Sequence, residues 1–168
     1  LRAAGSVGGK TVVDIIDGHI LTSVYGGNEM TDVKGSCTVN MVGGTVGVPR
    51  TKEQIQAHPV TCNVFGAGKG DQRVNFNEQT NVASTQVNIS GTARIYGSTF
   101  GGGEDGHVLG NAETNIGGTI KIDLNGDGDT TDDGETFTAQ NSLVIGSVGT
   151  SGSDGNVFGG GRGFSETA

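Results

Sequence analysis

Three observations predict an all-β chain built as a β-solenoid of about four coils: a recurring aromatic-glycine motif, a strand motif that recurs upstream of it, and a great excess of glycine. The 168 residues include 33 glycines, where ordinary usage of ~7% gives roughly 12, but only 2 prolines, which excludes collagen and proline-rich linkers. Much of the remainder is Val, Ile, Thr, Asn and Ser, which suit pleated strands and polar corners, whereas Leu, Lys and Glu are sparse. Helix is therefore expected to be minor.

The aromatic motif occurs as Val24-Tyr25-Gly26-Gly27, Val64-Phe65-Gly66-Ala67-Gly68, Thr99-Phe100-Gly101-Gly102-Gly103 and Val157-Phe158-Gly159-Gly160-Gly161. Upstream of each copy, alternating apolar residues run into glycine: Val13–Ile20, Val39–Val46, Val87–Gly91 and Asn115–Ile120. The step from Val13 to Val39 is 26 residues and from Val87 to Thr114 is 27, the length of one coil of two or three short strands. Longer steps mark insertions. A short apolar strand cannot bury its face alone, but copies stacked about 4.8 Å apart share one core. Glycine is expected at each sharp corner because it takes positive φ without a Cβ clash. Tyr25, Phe65, Phe100 and Phe158 are expected to stack as an internal ladder; the rival reading makes them an exposed ligand-binding stripe.

Two insertions interrupt the pattern, at 47–59 and 121–141. The first holds the one helix-like stretch. Thr51 and Gln54 fit a capping box and Pro59 a stop, so the spacing predicts one or two turns projecting from a corner, either as decoration or as a partner-binding prong. The second carries Asp123, Asn125, Asp127 and Asp129 at alternate positions, followed by Asp132, Asp133 and Glu135. Ca²⁺ takes six to eight oxygen ligands, and alternate acidic or amide side chains turned by glycine aim several at one point. A solvated acidic loop is the plainer reading.

The run at Asp123, Asn125 and Asp127 resembles the Asp-x-Asn-x-Asp-Gly calcium loops of EF-hand and dockerin-type proteins. It departs from them at Gly134, where the closing bidentate ligand would fall, so Asp132, Asp133 or Glu135 would have to close the shell. Gly101–Leu109 resembles a nonapeptide calcium repeat of secreted toxins, but as a single copy it reads as a corner of the solenoid.

A net charge of −8 and a pI near 4.6 argue against nucleic acid, whose phosphates need a basic face, and favour cations. No apolar run is long enough to span a membrane, and Leu1-Arg2-Ala3-Ala4 lacks the apolar core of a signal peptide. Cys37 and Cys62 fall about one coil apart and are read equally as a disulfide or as two buried free thiols. His19, His58 and His107 stand in separate contexts, and neither cysteine has an evident His partner. Asp14 and Asp17 read as strand alternation, so no catalytic residues are assigned.

The alternation of Val-x-Ile-x-Gly-Gly strands with Val-Phe-Gly-Gly-Gly corners resembles glycine-rich repeat regions of large bacterial surface proteins, including autotransporter-like and filamentous adhesins. The resemblance spans nearly the whole chain. It implies a right-handed parallel β-helix, extracellular or bacterial cell-surface exposure, and a structural or adhesive, non-enzymatic role. Both ends look open, with Arg162-Gly163-Phe164 capping nothing. The expected partners are neighbouring coils of a longer chain or identical subunits end to end, or else surface glycans or proteins. The alternative is a polysaccharide-binding or polysaccharide-cleaving β-helix of lyase or glycosidase type, although Trp is absent and only Tyr25 and Tyr96 carry phenols.

Overall fold

The computed structural model describes residues 5–58, 61–71, 79–148 and 154–163; Leu1–Ala4, Pro59 and Phe164 lie outside these. Among the described residues the chain is mostly strand with one short helix. The first repeat contains β1 (Thr11–Ile15), β2 (His19–Ile20) and β3 (Val24–Tyr25). The second contains β4 (Val33–Met41), β5 (Thr45–Val46), α1 (Lys52–Ala57) and β6 (Val64–Phe65). The third contains β7 (Asn81–Ile89), β8 (Arg94–Ile95) and β9 (Thr99–Phe100). After β10 (His107–Val108), the fourth contains β11 (Ala112–Ile116), β12 (Thr119–Lys121), β13 (Thr136–Thr138), β14 (Val144–Ile145) and β15 (Val157–Phe158).

Three parallel sheets each take one strand from every repeat. β1, β4, β7 and β11 form the first, with the short β10 also pairing with β7; β2, β5, β8 and β14 form the second, and β3, β6, β9 and β15 the third. The register follows the sequence pattern: Val13 pairs with Val39, Val39 with Val87, and Val87 with Thr114. Period-two alternation then sends Val39, Met41, Val87 and Ile89 inward, where they join Val46, Val64 and Ile95 in one fully buried cluster. At about 1.5–3 kcal/mol for each buried aliphatic side chain, this shared core is what short strands gain by stacking. A smaller cluster lies beside it, where Val33 and Val82 are register partners flanked by Val7 and Val108.

The aromatic residues stack in sequence order. Ring centroids lie 5.1 Å apart for Tyr25 and Phe65, 4.9 Å for Phe65 and Phe100, and 4.8 Å for Phe100 and Phe158, with interplanar angles of 14° or less. These spacings match the distance between paired strands, so each ring keeps the height of its own repeat.

Glycine serves two different ends. In the corner after the first strand it does take positive φ, as at Gly44 (+70°) and Gly91 (+59°). In the aromatic corner the expectation of positive φ is not met. Gly26, Gly66 and Gly101 lack it, and a Cβ on any of them would fall on the carbonyl oxygen of Gly66, Gly101 or Gly159 in the following repeat. Close backbone approach is what excludes a side chain there.

The fourth repeat departs from the pattern. Thr119–Ile120, read from sequence as the end of the recurring strand element, pairs antiparallel with β13 in a hairpin that carries the acidic insertion. Val144–Ile145 takes the vacated place beside Arg94–Ile95. The hairpin leaves and re-enters at one point, where Ala139 N–H donates to the Gly118 carbonyl.

The first insertion is docked rather than projecting. Its capping box is present, with Gln54 N–H donating to Thr51 Oγ1 and Thr51 N–H to Gln54 Oε1. Ile55 is fully buried. Arg50, also buried, donates to the carbonyls of His58 and Tyr96 and to Thr61 Oγ1, tying the helix to the third repeat.

Candidate functional site

Four places bear on function. The first is the acidic insertion. Asp123 accepts the N–H groups of Gly126 and Gly128, Asn125 Oδ1 accepts from Asp127 N–H, and Asp127 Oδ1 accepts from Asp129 N–H. Asp129 Oδ1 accepts both the N–H and hydroxyl of Thr131, and these donors hold its carboxyl below its usual pKa. Glu135, only 2% exposed, folds back so that Oε1 accepts from Leu124 N–H at 2.7 Å and Oε2 from Asp132 N–H at 3.3 Å. Asp133 is exposed.

The loop is therefore a chain of side-chain-to-backbone turns closed by a buried carboxylate. It brings Asp127 and Asp132 together through Asn125, whose Nδ2 donates to both carboxylates at 3.2 and 2.7 Å. The donor set is all hard oxygen, the type that Ca²⁺ takes, and an inward-turned Asn125 amide oxygen would add to it. Among the described residues, however, no three His, Cys, Asp or Glu side chains converge on one metal position.

The second place is a cleft of about 500 Å³ beside the aromatic corner, lined by Ser23, Tyr25, Glu29, Thr61, Lys69 and Glu104 among others. Glu104, 9% exposed, accepts the Tyr25 hydroxyl hydrogen, and Lys69 Nζ lies 3.0 Å from Glu29 Oε1. Burial, then the Glu104 hydrogen bond, raises the Tyr25 pKa far above its ordinary value. The Glu29 carboxylate likewise holds Lys69 protonated. These groups come from three repeats, which is why no local motif marks them. The only sequence signal was that the first aromatic of the column is Tyr.

The third is a line of amides along the outer face of the first sheet. Asn40 Nδ2 donates to Asp14 Oδ1 at 2.7 Å, Asn88 Nδ2 to Asn40 Oδ1 at 2.8 Å, and Asn115 Nδ2 to Asn88 Oδ1 at 2.9 Å. The four residues are register partners, and the sequence did hold a signal for them: each directly follows one of the aligned positions Val13, Val39, Val87 and Thr114. Asp14 thus belongs to this line, while Asp17 accepts from Gly18 N–H in the adjoining corner.

The fourth is the thiols. Cys37 and Cys62 are both buried and free, so of the two readings the unbonded one holds. Burial pushes the Cys37 thiol pKa up. The histidines remain separate: His19 Nε2 lies 2.6 Å from the Gly47 carbonyl, His58 caps α1, and His107 sits in β10.

No helix among the described residues is long and apolar enough to cross a membrane. Neither a protein family, a curated protein nor a solved structure matches the chain.

Proposed function

We propose that the chain is a parallel β-helix of about four coils that serves as a structural or adhesive scaffold at a bacterial cell surface or outside the cell, without catalytic activity, and that its acidic hairpin is stiffened by Ca²⁺. The observation that carries this reading is the register, with one strand of every repeat in each of three parallel sheets and one aromatic ring per repeat in a single column. Such a stack makes a rigid, elongating body whose insertions vary without disturbing the core. In the hairpin, Asp123, Asn125, Asp127, Asp132 and Glu135 would hold the ion, and the ion would supply charge neutralisation within the loop. The test is calcium titration by calorimetry alongside circular dichroism. Saturable binding lost in Asp127→Ala, with a β spectrum throughout, supports the reading, and a disordered spectrum overturns it.

A second reading, a polysaccharide-binding surface, is favoured by the Tyr25–Glu104 cleft. Carboxylates, hydroxyls and an ammonium facing one concavity suit sugar hydroxyl groups. Glycan-array binding that is lost in Glu104→Gln while the melting temperature is retained would move it ahead of the scaffold reading.

A further inference from the structure

The fourth repeat ends in an edge built like those the chain covers elsewhere. Among the described strands β11 pairs with β7, β14 with β8 and β15 with β9, so each ends its sheet. Val157 and Phe158 are 46% and 42% exposed, whereas Val64 and Phe65 at the same place in the second repeat are fully buried. Gly26, Gly66 and Gly101 each donate N–H to the carbonyl of the next repeat's aromatic residue, at 2.8 to 2.9 Å, and each lies where a side chain would strike the next backbone. Gly159 and Gly160 occupy the same corner, yet no described atom lies within 4 Å of a Cβ built on either. Glycine weakens a strand end unless a close neighbour requires it, so its presence here points to a backbone that packs on this edge.

The amide line says what that backbone carries. A carboxylate only accepts hydrogen bonds, so Asp14 forces Asn40 to donate to it, and this orients every later amide. All donors point toward the first repeat, and Asn115, having donated to Asn88, keeps an Oδ1 that accepts from no donor among the described residues. The next side chain in line must be a donor. The first repeat of a second copy would match the edge in its backbone and in Tyr25, but it would set Asp14 oxygens against Asn115 Oδ1, acceptor against acceptor.

We propose that the edge formed by β11, β14 and β15 docks a parallel coil that carries a side-chain amide opposite Asn115 and an aromatic-Gly-Gly corner opposite Phe158–Gly160, and that Asp14 keeps a second copy of this chain from being that coil. The inference rests on the β-helix reading above. It replaces a general expectation of end-to-end partners with a required chemistry and a direction of growth.

The Asp14→Asn chain is a ready probe, because it presents the required amide on an otherwise identical first repeat and Asp14 is exposed. Sedimentation velocity is run on the wild-type chain, on Asp14→Asn, and on mixtures in which the wild type carries a dye. The wild type stays monomeric, while Asp14→Asn self-associates and binds the dyed wild type at least about tenfold more tightly than wild type binds itself. Gly159→Ala, whose Cβ meets no described atom within the chain, abolishes both associations without lowering the melting temperature. Wild type that associates as tightly as Asp14→Asn overturns the role of Asp14, and the absence of any association overturns the docking edge. If Gly66→Ala, between two repeats, fails to lower the melting temperature, it is the β-helix reading that fails.

Discussion

The Tyr25 hydroxyl donates to Glu104, a carboxylate that arrives from just beyond the third aromatic corner and is almost wholly buried. One hydrogen bond thus ties the first ring of the column to a segment 79 residues later, along the wall of the cleft beside it.

Burial of Tyr25, together with this bond, makes stability sensitive to alkali. The folded state holds Tyr25 protonated above its ordinary pKa of 10.0, so above that pH the unfolded chain loses the proton while the folded chain keeps it. Stability is then complete below about pH 10 and falls as pH rises further. Melting temperatures of wild type and Tyr25→Phe should converge or cross between neutral pH and pH 11; parallel curves would show that the raised pKa does not contribute.

A covered and an uncovered glycine of the aromatic corner should respond differently to a methyl group. Gly66→Ala pushes a Cβ into the Gly101 carbonyl and the Val87 side chain and is expected to cost ~1–3 kcal/mol or more. Gly159→Ala meets nothing and should stay within about 0.5 kcal/mol of wild type. Urea denaturation of the two variants measures both; equal losses would contradict close approach as the reason for glycine.

Phe65 lies between two rings and is fully buried, so Phe65→Ala is expected to lose about 3–5 kcal/mol. Phe158→Ala, with one ring neighbour and partial exposure, should lose less than half of that. The ordering is read from the same urea titrations.

Glu135 closes the acidic loop even without an ion. Replacing it with Ala strands the N–H groups of Leu124 and Asp132 and should destabilise the hairpin by about 1–3 kcal/mol, visible as faster amide exchange around Leu124. Asp133→Ala, at an exposed position, should leave that exchange unchanged.

Both thiols should resist alkylation in the native chain. Cys37 is buried and its thiolate disfavoured, so iodoacetamide should label it only after unfolding, and mass spectrometry should find two additions in denaturant against none in native buffer.

Much of this architecture could be read before any coordinates. Val13, Val39, Val87 and Thr114, aligned by spacing alone, are register partners, and the four aromatic residues stack as their shared motif implied. Local pattern did not reveal the hairpin at Thr119–Lys121, because so short a strand has the same appearance whether it joins a parallel sheet or opens a hairpin. Glycine's role was half read, since sequence reports that a side chain is excluded but not whether φ or a neighbouring backbone excludes it. The Tyr25–Glu104 cleft was out of reach: Glu29, Lys69 and Glu104 are ordinary surface types, and only the winding of the chain brings them together.

The bond from Ala139 N–H to the Gly118 carbonyl has a consequence for how this protein can change over time. Where an excursion departs and returns through one closed neck, its length and content are decoupled from the body that bears it, and lengthening it adds only slowly to the entropy of closing the loop. That neck is a cassette site: the hairpin can be shortened, replaced or exchanged for another module while the sheets on either side keep their pairing.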